Sequence, residues 1–168
     1  MIKVILNKDD LTIIKDDIKN QNSIQEIDES NQVAIYLDDK NYEVLERMIK
    51  RITTNRKEFL FETPTGWVKI FLRDILYIES FGTEIILHTQ SLGDVLVKQP
   101  LYQLETLLSP HHVVRIGKSY LVNLSKVAFI RTKLNAKLEI ELSNNIKLEV
   151  MRSYVKSFKE QLGIGGRK

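Results

Sequence analysis

From residue 58 onward, closely spaced turn residues divide the sequence into short strand-forming stretches. EFLFE and WVKIFL flank Thr-Pro-Thr-Gly, ILYIES and EIILHT flank Phe-Gly-Thr, and KLEIEL and IKLEV flank Ser-Asn-Asn. Two short helical patterns interrupt the strands, LYQLETLL directly after Pro100 and SYVKSFKEQL near the end. This spacing of turn residues predicts a mostly β region of short strands with two short helices.

Residues 1–57 follow a different pattern, that of two successive βα units. IKVIL and VAIYL are typical of strands, and each precedes a stretch with apolar residues at helical spacing. NSIQEIDESN between them is predicted to be a polar connection, and the polar TTNRKE to mark a boundary. We therefore expect a small βαβα segment at 1–57, a mostly β domain at 58–162 and a flexible tail at 163–168, giving an α+β protein.

Two acidic pairs lie beside these predicted strands, Asp9-Asp10 and Asp38-Asp39. They are similar to the acidic pocket of a phosphorylated receiver domain. Such a domain winds about five βα units around one sheet, however, and residues 1–57 contain only two. We therefore interpret the aspartates as residues for capping the first predicted helix (Asp9 or Asp10) and for forming turns.

The composition narrows the class of protein. The chain has no cysteine, which excludes a disulfide framework and a thiolate metal site. No apolar run approaches the roughly 20 residues that cross a bilayer, and the N-terminal MIKVILNKDD is too short and too quickly acidic for a signal peptide. We expect a cytoplasmic protein.

Positive charge is concentrated in the last third of the chain. Residues 1–57 carry 10 Lys and Arg against 11 Asp and Glu, residues 58–114 carry 3 against 7, and residues 115–168 carry 12 against 4. Such a concentration favours nucleic acid or an anionic membrane as a partner. A solubilising surface is the alternative that charge alone leaves open.

Gly117-Lys118-Ser119, at the start of this basic segment, has the ending of a nucleotide-binding phosphate loop. Such a loop also needs a glycine five residues earlier, where this chain has His112. It needs a helix after the serine as well, and Tyr-Leu-Val-Asn-Leu favours a strand instead. Nucleotide binding is therefore not the interpretation that we adopt.

Strand alternation creates a conflict at the same place. It would put Lys118 on the core face with Ile116, where an unpaired ammonium group is costly. We expect Gly117 to permit a bulge or sharp turn, so that Lys118 and Ser119 project beside Arg115. An ordinary surface lysine is the alternative.

The junction between the last predicted strand and the last predicted helix is a second place where side chains can contact an anion. Ser153 is predicted to cap that helix, whose free amides attract phosphate, and Lys156 follows on its first turn. Arg152 beside it can contact either a phosphate or a base edge.

No set of residues indicates an enzyme. Neighbouring His111 and His112 point to opposite sides of a strand and cannot easily share a metal, and Glu139 and Glu141 are typical of the solvated face of a half-buried strand. We expect no catalytic residue, cofactor, metal or small-molecule substrate.

Five stretches occur in order over residues 58–162: DILYIESFGTEIILHT, VKQPLYQLETLL, VVRIGKSYLVNLSKVAFI, KLEIELSNNIKLEV and RSYVKSFKEQL. Together they resemble the LytTR family of bacterial DNA-binding domains. The resemblance implies a compact fold of short sheets, in which loops rather than a recognition helix enter successive major grooves. It also implies a transcription regulator that binds direct repeats in double-stranded DNA and bends it.

The resemblance further implies three places of base contact: the loop from Phe81 to Glu84, Lys118 and Arg152. Lysine and arginine can donate to guanine, and Glu84 can accept from a cytosine amino group. The predicted DNA-binding residues are Lys118, Arg152, Ser119, Ser153, Arg115, Lys156, Thr83 and Glu84.

Residues 1–57 are shorter than the receiver domain that many family members carry. The chain resembles stand-alone members, some of which are controlled by an inhibitory membrane protein. We infer a role in homodimerisation or partner binding. A protein-interaction module that binds no DNA, with a basic C-terminal face, is the alternative for the whole chain.

Overall fold

The chain divides into two units, Met1–Lys57 and Glu58–Lys168, and each has its own hydrophobic core. The computed structural model describes residues 1–15, 17–18, 24–27 and 31–164. Of the expected tail at 163–168, only Gly163 and Ile164 lie within these residues. Among the described helices, none is both long and apolar enough to cross a membrane.

The first unit is an antiparallel sheet with two helices packed against its apolar face. Its elements are β1 (Ile2–Asn7), α1 (Lys8–Ile14), β2 (Ile24–Ile27), β3 (Gln32–Leu37) and α2 (Tyr42–Asn55). The strand order is β1-β3-β2. Alternate residues of β3, Ile35 and Leu37, are fully buried against Ile14 of α1 and Met48 of α2.

Two local predictions for this unit are wrong. The stretch predicted as a polar connection contains β2, which forms because β3 offers it an antiparallel partner from Gln32 to Ile35; residues 19–23 and 28–30 lie outside the described part. The cap of α1 is Asn7, which accepts from the Asp10 amide at 2.7 Å.

The acidic pairs have separate structural roles. The Asp10 carboxylate is buried and forms an ion pair with Arg56. The Asp38 carboxylate accepts from the Lys40 amide at 3.0 Å, which confirms the predicted turn role.

The second unit contains ten strands and two α-helices among its described residues. They are β4 (Glu58–Thr63), β5 (Gly66–Phe71), β6 (Ile75–Phe81), β7 (Glu84–Thr89), β8 (Asp94–Val97), α3 (Leu101–Leu108), β9 (Val113–Gly117), β10 (Tyr120–Asn123), β11 (Val127–Thr132), β12 (Leu138–Leu142), β13 (Lys147–Val150) and α4 (Val155–Leu162). The strands form a β4-β5 hairpin, a five-stranded sheet of order β8-β7-β6-β10-β9 and a sheet of order β11-β12-β13. The predicted α+β class, with short sheets and short helices, is confirmed.

The five-stranded sheet lies between two cores. On one face Leu121 packs with Phe61 of the β4-β5 hairpin and Leu104 of α3. On the other face Val122 packs with Ile140 of β12 and Phe158 of α4. Leu121 and Val122 are both fully buried, so β10 is covered on both faces.

Asn123 ends β10 as a buried and fully bonded amide. Its Nδ2 donates to the Leu72 and Ile75 carbonyls at 3.2 and 2.9 Å, and its Oδ1 accepts from the Ser125 amide and hydroxyl at 3.1 and 2.8 Å. Both donors and both acceptor positions of the amide are therefore used. This one side chain links β10 to the turn that precedes β6.

We expect Asn123→Ala to lower the free energy of unfolding by about 1–3 kcal/mol, because it leaves buried carbonyls without donors. Urea unfolding followed by circular dichroism measures the change as a lower midpoint at constant slope. Asn144→Ala is the control, since Asn144 is exposed and a surface substitution should change stability by less than about 0.5 kcal/mol. Equal midpoints for the two variants would show that the buried amide is not stabilising.

Candidate nucleic-acid interface

The turn that joins β9 to β10, which we call the Lys118 turn, has Lys118 and Ser119 as its central residues. Gly117 pairs with Tyr120 across it. Lys118 is exposed, and its side chain forms no hydrogen bond or ion pair with any described residue. The chain therefore reverses just where continued alternation would have buried this ammonium group.

The bulge predicted at Gly117 is present in β9: Gly117 pairs with Tyr120 and Arg115 with Leu121, which leaves Ile116 as an extra residue. The φ of Gly117 is not positive. A Cβ atom on Gly117 would lie 3.3 Å from Cγ of Met151, which is closer than an ordinary contact. The position favours glycine because a side chain from the end of β13 packs against its backbone.

Arg115 binds the Lys118 turn from within the protein. Its Nε donates to the Gly117 carbonyl at 2.9 Å and its Nη2 to the Lys118 carbonyl at 2.5 Å. Its Nη1 donates to Glu105 of α3 at 2.8 Å, and the side chain is only 22% exposed. The planar guanidinium suits several fixed acceptors at once, so Arg115 holds the turn in one conformation.

The turn that joins β6 to β7, the Gly82 turn, lies beside the Lys118 turn. Phe81 pairs with Glu84, which leaves Gly82 and Thr83 at the tip, and Gly82 has φ +61°, which glycine adopts without strain. Phe81, Thr83 and Glu84 are exposed. The Ser80 amide donates to the Ser119 carbonyl at 2.8 Å and so connects the two turns.

The turn between β13 and α4, a 3₁₀ turn over Arg152–Tyr154 that we call the Arg152 turn, lies on the other side. The Met151 amide donates to the Ile116 carbonyl at 2.8 Å, directly before the Lys118 turn. Arg152, Ser153 and Lys156 are exposed, and their side chains have no bonding partner in the described chain.

Ser153 does not cap the last helix, so that prediction is wrong. The residue before α4 is Tyr154, and no side chain caps the helix there. The 3₁₀ turn places Ser153 before the helix begins, which leaves its hydroxyl at the surface. Ser153 is a surface hydroxyl beside Arg152 and is not fixed by the helix.

A cleft of about 660 Å³ separates the Lys118 turn from the Arg152 turn. We call it the Met151 cleft, and its lining residues are Gly117, Lys118, Ser119, Tyr120, Lys147, Leu148, Glu149, Met151, Ser153 and Tyr154. Lys147 and Met151 were not singled out from the sequence. The local sequence of β13 gives no sign that these two residues belong to an interface. They line the same cleft as Lys118 because Met151, which follows β13, bonds to Ile116 of β9.

Ion pairs neutralise part of the basic segment. Arg131, Lys133 and Lys137 face Glu139, Glu141 and Glu149 across β11, β12 and β13 at 3.3–4.0 Å. Lys133 donates hydrogen bonds to the Glu139 and Glu149 carboxylates, and these bonds raise the pKa of Lys133. The exposed cations of the segment without an acidic partner in the described chain are Lys118, Lys147, Arg152 and Lys156.

A second polar network supports the strands below the turns. The Tyr120 hydroxyl donates to Glu79 at 3.0 Å, and Glu79 and Asp94 contact the two ring nitrogens of His88 at 3.0 and 2.7 Å. Burial, followed by the hydrogen bond to Glu79, raises the pKa of Tyr120. The network links β10, β6, β7 and β8, so these strands hold the Gly82 and Lys118 turns on a stiff base.

Known proteins are similar to part of this chain. "Transcriptional regulatory protein LytR" of Staphylococcus aureus (strain N315) is 32% identical over 66 residues, which are 39% of this chain and 27% of that protein. "Transcriptional regulatory protein BtsR" of Escherichia coli (strain K12) is 29% identical over 121 residues, 69% of this chain and 48% of that protein. The chain thus spans about a quarter to a half of the length of these relatives.

A solved structure, titled "LytTr DNA-binding domain of putative methyl-accepting/DNA response regulator from Bacillus cereus", has the same fold. Its TM-score is 0.57 at 21% identity, and the match covers 64% of this chain and 97% of that one. Residues 65–163, more than half of the chain, match the family described as "LytTr DNA-binding domain". The chain belongs to the LytTR family of DNA-binding domains, as the order of its motifs predicts.

Proposed function

We propose that the chain is a transcription regulator that binds duplex DNA through the Gly82, Lys118 and Arg152 turns. The observation that carries the proposal is the bonding between the turns. Ser80 joins the first to the second and Met151 the second to the third, so the three form one continuous surface. Lys118 and Arg152 lie on this surface, and neither has an acidic partner among the described residues.

Each part of the surface suits a different kind of contact. Arg152 can donate bidentately to a guanine and Lys118 can donate to guanine acceptors, whereas Ser119, Ser153 and Lys156 suit phosphate oxygens. In the Gly82 turn, Glu84 can accept from a cytosine amino group and Thr83 can donate beside it. Arg115 acts as a positioning residue, because three of its donors already bind within the protein.

We infer that the target is a pair of direct repeats bound by two copies of the chain. The inference rests on the family resemblance, in which loops enter successive major grooves. Selection of bound sequences from a random duplex pool tests it. Two copies of one short motif in the same orientation are expected, and a single isolated motif would contradict it.

We also infer that the first unit mediates homodimerisation, with an inhibitory membrane protein as a further partner by resemblance. Ile5 and Ile49 are 53% and 56% exposed and line one cleft of about 430 Å³ between β1 and α2. β1 is also an edge strand, whose outer backbone groups have no partner strand in the described sheet. An exposed apolar surface beside an open edge favours association with another chain.

Affinity for duplex DNA should fall steeply with salt concentration. Each neutralised phosphate contributes about −0.9 to the slope of log affinity against log salt, so about four cations predict a slope of about −3 to −4 for one bound unit. Fluorescence anisotropy with a labelled duplex measures it. Absence of binding to any duplex at low salt would instead support a protein-interaction module.

Lys118→Ala and Arg152→Ala should each weaken binding to the selected site by about 1–3 kcal/mol and relax discrimination at one base pair. Both side chains are exposed, so thermal stability should not change. Lys137→Ala is the matched control, because Glu149 already balances that lysine. A Lys118→Ala variant with a lower melting temperature and unchanged DNA affinity would make this lysine structural.

Ile5→Glu combined with Ile49→Glu should convert a dimer into a monomer, because it places carboxylates in the apolar contact. Sedimentation velocity measures the mass. Leu134→Glu is the control, since Leu134 is 88% exposed but lies in the second unit. Dimerisation that survives the double substitution would exclude this surface as the interface.

A further inference from the structure

The Met151 cleft combines an apolar interior with a cationic rim. Tyr120, Leu148 and Tyr154 are half-buried in its lining, and Met151 is 39% exposed at the point where β13 ends. Lys118 and Lys147 are exposed at its border, and Arg152 lies between two lining residues, Met151 and Ser153. An apolar recess between cations suits a ligand that is itself apolar at one point and anionic around it.

The acidic residue in the cleft does not oppose such a ligand. Glu149 lines the cleft, but its carboxylate lies 3.3 Å from Lys133 and 4.0 Å from Lys137. Lys118 and Lys147 have no such partner in the described chain. The cleft is therefore net positive.

Met151 is held in place more firmly than an ordinary exposed methionine. Its amide donates to the Ile116 carbonyl at 2.8 Å, and its Cγ packs against the backbone of Gly117, where any Cβ would intrude. The residue as a whole is still 39% exposed. A side chain that is packed on one side and partly exposed can present a defined apolar contact.

In the major groove of DNA the principal apolar feature is the C5-methyl group of thymine, and the phosphates on either side supply negative charge. We propose that Met151 is a specificity-determining residue whose side chain contacts one thymine methyl, next to the base pairs read by Lys118 and Arg152. Lys147 binds a phosphate beside that thymine. The proposal rests on the proposed DNA-binding function and adds to it a base identity that no hydrogen bond reads.

Replacing thymine by uracil removes only this methyl group and so tests the contact directly. In the selected site, each thymine is replaced in turn by uracil and binding is measured by anisotropy. For the wild-type chain we expect one thymine, adjacent to a base pair at which Lys118→Ala or Arg152→Ala relaxes discrimination, to weaken binding about three- to fivefold when replaced. The other uracil substitutions should change affinity less than about twofold.

Met151→Ala should lose affinity for the thymine site by a similar factor and become insensitive to the same uracil. Met151→Gln, which keeps the length of the side chain but not its apolar end, should behave alike, and Met151→Leu should keep the sensitivity. Lys147→Ala should weaken all duplexes equally and leave the uracil effect unchanged. The Gln and Leu variants keep the test valid if Met151→Ala fails to fold.

The outcomes separate this proposal from the proposed function. A wild-type chain that selects a DNA site but shows no uracil-sensitive thymine at that place overturns the Met151 contact alone. Uracil sensitivity that persists in both Met151→Ala and Met151→Gln also overturns the Met151 contact and leaves DNA binding standing. A chain that binds no duplex overturns DNA binding itself.

Discussion

The burial of β10 on both faces is the constraint on which the rest of the second unit depends. Leu121 belongs to one core and Val122 to the other, and Asn123 bonds to the carbonyls before β6. A strand held in this way cannot slip in register without moving apolar side chains out of both cores. The Lys118 turn leads directly into this strand, so its position is fixed by the packing of Leu121 and Val122 in the two cores.

Hydrogen bonds connect the turn before the buried strand β10 to the neighbouring turns. Ser80 and Met151 donate to carbonyls on either side of Lys118, and Arg115 binds the turn carbonyls from below. The turns can therefore keep a defined spacing, which loops that approach successive bases require.

The pairing of the strands also decides which basic side chains have an acidic partner. Antiparallel pairing of β11, β12 and β13 places Arg131, Lys133 and Lys137 opposite glutamates, and these exposed pairs add little to stability. Glu139, Glu141 and Glu149 balance those three cations, whereas Lys118, Lys147, Arg152 and Lys156 are exposed and have no acidic partner among the described residues. A count of 12 basic residues in the last third of the sequence cannot distinguish these two groups.

The sequence alone determined the features that depend on neighbours in the chain. The short strands, the two short helices, the turn around Lys118 and the family resemblance all follow from local periodicity and turn residues. Local patterns gave wrong or incomplete predictions where a residue distant in the sequence determines the structure. β2 needs β3 as a pairing edge, and the packing of Met151 against Gly117 is not visible in the local sequence. Ser153 lies within a 3₁₀ turn that the local sequence does not predict. Tertiary structure alone decided which cations stay unpaired and which residues form the Met151 cleft, because both depend on which strands lie side by side.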